Sequence, residues 1–310
     1  VTGNCGASPA PSRRGSEWSS VGSYSDALEE LGIASNQALL LGQGSLRRGV
    51  VGGDDRPATR EELAAMKRLV EEGMEAGAWG LSTGLEYAPG LFTPTDEIVE
   101  LARTAARRGG IYATHMRNEE AGLASAVDEA LDVGRRSGAR VEISHLKAAG
   151  RPNWPLLESA IERIERARDD GVDVMADAYP YTAYATGLTI LLPSWARDGG
   201  RDAMLGRLAD AAVRERILAE LPERIAGDPG GPELIRISAV ETHVNRRFIG
   251  RTLRDVADEL ETDPASALVL LLRLENGGVS YIGLAVSDAN VERVLSHPLV
   301  MIGSDGVSVA

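Results

Sequence analysis

Apolar and polar positions follow two rhythms along the chain. Short runs of apolar and β-branched residues occur at 37–42, 79–84, 111–115, 140–145 and 172–177. Each reads as a strand buried on both faces. Between them lie longer stretches with apolar residues every three or four positions, as at Leu123, Val127, Leu131 and Val133, closed by Gly138. These read as amphipathic helices. A helix over 24–31 closes at Gly32, Thr59 with Glu62 forms a capping box for a helix running to Gly77, and another helix starts near Thr95. Residues 43–55, which are rich in glycine, read as a loop. The segment 1–6 looks like the end of a strand turning into a loop, so the count of strands up to Asp177 reaches six.

Strand and helix in strict alternation predict a parallel sheet, and this many units favours a closed barrel over an open sheet. From about 183 to 232 the rhythm breaks. That stretch reads as an insertion able to cover a site, after which 233–310 completes the barrel with a final strand, Leu299-Val300-Met301-Ile302, ending at Ser304-Asp305.

The parallel arrangement gives the histidines meaning. His115 and His145 terminate successive strands of one βαβ unit, and a right-handed crossover puts both on the same edge of the sheet. Cys5 and Asp305 occupy equivalent strand ends, so four polar groups converge on the face where such barrels build their sites. A thiolate and two imidazoles are three zinc-class ligands, with a fourth position open for water. His243 and His297 read as loop and turn residues.

Composition narrows the function classes. The 310 residues are 43% hydrophobic and 25% charged, which suits a large folded unit. A formal charge of -13 argues against a nucleic-acid or acidic-membrane partner. No apolar run nears the ~20 residues of a membrane span. One cysteine rules out an internal disulfide. A cytoplasmic enzyme acting on a small molecule is the expectation.

Six motifs in order carry a family likeness: Gly3-Asn4-Cys5-Gly6, Gly80-Leu81-Ser82-Thr83-Gly84-Leu85, Tyr112-Ala113-Thr114-His115-Met116-Arg117, Ile143-Ser144-His145-Leu146-Lys147, Asp177-Ala178-Tyr179-Pro180-Tyr181 and Ile302-Gly303-Ser304-Asp305-Gly306. In these the chain resembles the N-acyl-D-amino-acid deacylases, the D-aminoacylase branch of the amidohydrolase superfamily. The resemblance implies a zinc-dependent (β/α)8 barrel of the TIM type that cleaves the acyl group from N-acyl-D-amino acids. It implies Cys5, His115 and His145 as metal ligands, Asp305 as the catalytic aspartate, and Lys147 and Tyr179 as substrate-holding residues. Numbered by that family, 1–182 holds barrel strands two to seven and 233–310 holds strand eight. The His-x-His pair of a first strand does not occur, so the expectation is a fragment lacking that strand and the accessory β-sandwich. Hydrolysis of a cyclic amide, or a non-catalytic metal-binding module on the same fold, are the alternatives that the residues leave open.

Overall fold

The computed structural model describes residues 18–227 and 229–306. Its larger half is a parallel sheet of β1 (Leu40–Gly42), β2 (Gly80–Gly84), β3 (Ile111–His115), β4 (Arg140–Ile143) and β5 (Val174–Ala178), joined in that order. A later strand pairs in parallel with β5, with Ala176 opposite Val300. The six strands, with helices on their outer side, form a partial (β/α) barrel among the described residues.

Helices follow the strands on the outside. After α1 (Val21–Leu31) come α2 (Gln43–Val50), α3 (Arg60–Glu75), α4 (Thr95–Ala106), α5 (Leu123–Ser137) and α6 (Leu156–Asp169), of which α3 to α6 pack side by side. The expected capping box of α3 is present: Glu62 N–H donates to Thr59 Oγ1 at 3.2 Å, and Thr59 N–H to Glu62 Oε2 at 2.7 Å. Leu123, Val127 and Leu131 are buried on the inner face of α5, each contributing ~1.5–3 kcal/mol of hydrophobic stabilisation. Gly134 lets α5 lie tight on β4, because a Cβ there would meet Val141 Cγ2 at 2.5 Å.

Helix α2 replaces the loop expected at 43–55. Its glycines, Gly44 and Gly49, hide the helical signal, and the helix is held instead by its buried polar residues. Arg47 Nη1 meets Glu97 Oε1 at 2.7 Å, and Gln43 Nε2 donates to Thr93 Oγ1 at 3.0 Å.

The break in rhythm is a second folded unit, and it is longer than 183–232. Strands β6 (Tyr184–Gly187), β7 (Ile235–Val240) and β8 (Val279–Gly283) form an antiparallel sheet with β8 in the centre. Helices α7 (Gly200–Ala209), α8 (Ala211–Gly227), α9 (Leu253–Glu259) and α10 (Pro264–Leu274) cover it. Strand β7, inside the 233–310 stretch expected to complete the barrel, thus joins this sheet instead, since an apolar run shows that a strand exists and not which sheet it pairs with. Ile237, Tyr281, Leu268 and Leu208 belong to a core of their own, distinct from the barrel core of Leu81, Ile143 and Val174. The chain returns through α11 (Asp288–Leu295) to β9 (Val300–Ile302), the strand beside β5. No helix among the described residues is long and apolar enough to cross a membrane.

Candidate functional site

Strand register decides which side chains meet. Gly84 stands opposite His115, and Ile143 stands opposite Thr114, so the residues that follow β4 emerge next to the end of β3. His115 Nδ1 and His145 Nε2 lie 2.9 Å apart. Both line a cavity of 630 Å³ between the carboxyl edge of the barrel sheet and the second unit.

Each imidazole is gripped by a carboxylate at its far nitrogen. His115 Nε2 is 2.9 Å from Glu86 Oε2, in the loop after β2, and His145 Nδ1 is 2.9 Å from Glu119 Oε1, in the loop after β3. Local structure aims Glu119: Asn118 Oδ1 accepts the N–H groups of Glu120 and Gly122 at 3.0 and 2.6 Å, and Ala149 N–H donates to the Glu119 carbonyl at 2.7 Å. His145 has φ +42, a left-handed conformation costing ~1–2 kcal/mol for a residue with a Cβ. Asp177 holds it there by accepting the His145 N–H at 2.6 Å. Asp305, at φ +48, is another of the four left-handed non-glycine residues described.

Proton counting tests whether this pair suits a metal. Two contacts to carboxylates and one between the rings would need three N–H protons on two imidazoles, one more than a neutral pair has, and the Lys147 ammonium is a further donor 3.0 Å from His145 Nδ1. His145 resists the charge of an extra proton, since burial and the Lys147 ammonium push its pKa down, against the pull of Glu119. A cation in place of the shared proton leaves both rings neutral, each donating outward to its carboxylate, which is the usual support of a metal-bound histidine. Two nitrogens on one zinc at ~2.0–2.1 Å must lie within ~4.2 Å of each other. The pair satisfies this, and the donor set fits.

Lys147 is buried beneath the pair, its Nζ 2.5 Å from Glu119 Oε2 and 3.2 Å from the His145 carbonyl. Burial opposes its charge, yet the Glu119 carboxylate outweighs burial and raises its pKa. The same ion pair, with both imidazoles, holds the Glu119 carboxyl below the usual range in spite of burial. Burial pushes the Tyr179 phenol up to about 12, so at neutral pH it is protonated and can donate. The Lys147 ammonium stands 5.4 Å from the Tyr179 ring centre.

The structure therefore brings His115, His145, Lys147, Tyr179 and Asp305 to one cavity. Cys5 lies outside the described residues. Elsewhere, His297 is buried against Glu165 at 3.0 Å, away from this cavity, and His243 precedes a short 3-10 turn.

No family model matches the chain. A D-aminoacylase of Alcaligenes xylosoxydans xylosoxydans is 33% identical over 328 residues, which take in 99% of this chain and 57% of that protein. An N-acyl-D-glutamate deacylase of the same organism is 32% identical over 320 residues, again 99% of this chain and 57% of that one. The crystal structure of an N-acyl-D-glutamate deacylase from Bordetella bronchiseptica, complexed with zinc and a phosphonate mimic of the tetrahedral intermediate, superposes with a TM-score of 0.77 at 30% identity, covering 98% of this chain and 58% of that one. The chain is similar to N-acyl-D-amino-acid deacylases over nearly its whole length. It spans a little over half the length of the relatives it matches. In this site the sequence pointed to the histidines but not to Glu86 and Glu119. Both sit in loops without periodicity, and the only signal for Glu119 was its place four residues after His115.

Proposed function

We propose that the full-length protein hydrolyses the amide bond of N-acyl-D-amino acids to a carboxylic acid and a D-amino acid at this cavity. The observation that carries the reading is the carboxylate-backed histidine pair in a cavity of substrate size that Asp305 also lines. The names of the relatives support it. His115 and His145 would hold zinc, with Cys5 as the further ligand that the family motif implies. Bound zinc polarises a carbonyl and lowers the pKa of water toward ~7.

The remaining work falls to this chain's own groups. Asp305 accepts the proton of the attacking water and returns it to the departing nitrogen, so that the C–N bond breaks as a neutral amine leaves. The Lys147 ammonium, whose Nζ lies by Glu119 Oε2, the His145 carbonyl and His145 Nδ1, takes the substrate's α-carboxylate together with the Tyr179 hydroxyl. Glu86 and Glu119 fix the imidazole rings. The acidic composition supports a small-molecule substrate and no nucleic-acid partner.

The test is turnover by the full-length protein. Zinc-loaded enzyme should release the amine from N-acetyl-D-amino acids and not from their L-enantiomers, and a chelator should abolish release until zinc is restored. Cleavage of cyclic amides without any cleavage of the linear D-substrates would replace this reading with the cyclic-amide one.

A further inference from the structure

Below the cavity, the inner face of the barrel sheet carries an acid that the proposed chemistry does not use. Glu142, on β4, stands opposite Met175 of β5, so Asp177, two residues further along the same face, lies diagonally beside it. Ser144, just past the end of β4, donates its hydroxyl to Glu142 Oε2 at 2.8 Å. Glu142 Oε1 is buried and meets no donor among the described residues. A buried carboxylate oxygen without a donor is costly, and more so beside a second carboxyl group. The cost falls when one acid keeps its proton and donates it to the other. Burial and the charge of Asp177 raise the Glu142 pKa, and a hydrogen bond between the two side chains adds to the rise, so Glu142 is the member that keeps the proton.

Asp177 connects this acid to the histidine pair. It accepts two consecutive N–H groups, that of His145 at Oδ1 at 2.6 Å and that of Leu146 at its backbone carbonyl at 2.8 Å. The Ser144 N–H turns the other way, to the Thr114 carbonyl of β3 at 3.0 Å. Between these anchors His145 sits at φ +42, a conformation that persists only where surrounding contacts impose it. Were the Asp177 carboxylate to turn away, the His145 N–H would lose its acceptor, and the backbone would relax by moving the ring. The hold on His145 therefore depends on what holds Asp177.

We infer that Glu142 is a positioning residue: as a neutral acid it donates to the Asp177 carboxylate and so fixes the backbone that aims the His145 ring at the metal. Glu142 does not line the cavity and acts only through Asp177. The inference rests on the zinc reading of the histidine pair for its effect on metal binding, but not for the hydrogen bond itself.

The experiment measures zinc affinity of the full-length protein by competition with a chromophoric chelator, beside its thermal unfolding. Glu142→Met keeps the side chain's length and removes the donor, whereas Glu142→Gln keeps a donor. Glu142→Met should bind zinc ~10–100-fold more weakly than the native protein, the usual loss when support of a metal ligand is removed. Glu142→Gln should restore most of that affinity. In an Asp177→Ala background Glu142→Met should change zinc affinity no further, because the effect passes through Asp177. Native affinity in Glu142→Met, equal losses in the Met and Gln variants, or losses that merely track a lowered unfolding temperature would overturn the inference. A measurement without metal serves if the native protein binds no zinc or the Met variant does not fold. At pH 7 the native protein should show the infrared band of a neutral carboxylic acid, lost in Glu142→Gln. With that band present and no zinc bound, the Glu142 to Asp177 contact stands while the zinc reading falls; absence of the band from the native protein sinks the donor role.

Discussion

The barrel and the unit that covers it divide the cavity between them. The barrel supplies groups fixed at strand ends: two imidazoles, the carboxylates that grip them, and a lysine neutralised by one of those carboxylates. The covering unit supplies walls, the Thr186 hydroxyl that meets Tyr87 at 3.1 Å, and the Arg197 guanidinium bound to the Glu86 carbonyl. The polar groups of the histidine pair and those of the cavity roof thus rest on separately packed cores.

The sharpest test of that division is a change on the barrel edge that leaves both cores alone. Asp305→Asn should lower kcat by ~10²–10⁴-fold with unchanged thermal unfolding and zinc content, and retained kcat would remove Asp305 from the chemistry. Next in size is Glu97→Ala, which strands the fully buried Arg47. A loss of ~3–5 kcal/mol in urea unfolding is expected, and it should fall on the barrel. Ile237→Ala should cost ~2–5 kcal/mol, read as faster amide hydrogen exchange across β6 to β8 while β2 to β4 keep their protection. Uniform acceleration through both sheets would show that the two cores unfold as one.

A smaller effect concerns pH. Burial and the charge of Asp177 raise the Glu142 carboxyl to about 8, from an ordinary value of 4.5. The folded chain then holds a proton that the unfolded chain has lost, so stability falls as pH rises between those values. Glu142→Gln should gain on the native protein by ~1–3 kcal/mol between pH 5 and pH 8, and parallel stability curves would count against the buried acid. Smallest of all, Arg254→Ala on the covering unit breaks an exposed pair with Glu233 and should change stability by under ~1 kcal/mol.

What the sequence showed follows from periodicity. Strands β1 to β5, the capping box at Thr59 and the meeting of His115 with His145 were legible because buried strands and amphipathic helices leave regular apolar spacing. The extent of the covering unit was not, because β7 and β8 look like any other apolar run until their partners are known. Glu86, Glu119 and Arg197 were invisible for a related reason: each owes its role to a contact made across the sheet edge or between the two units. Loop residues carry no period, so only three-dimensional proximity separates them from solvated charges.

The covering unit leaves the barrel after β5 and re-enters at β9, and those two strands are hydrogen-bonded neighbours. In polymer terms it is a long loop whose ends are already closed by the sheet. The entropy of closing a loop grows only with the logarithm of its length, about 0.6 kcal/mol for each doubling. Lengthening or trimming the covering unit between Tyr184 and Gly283 therefore adds little closure entropy to the ladder that aligns the histidines. Selection can rebuild the roof of this cavity, and with it the choice of substrate, without renegotiating the chemistry beneath.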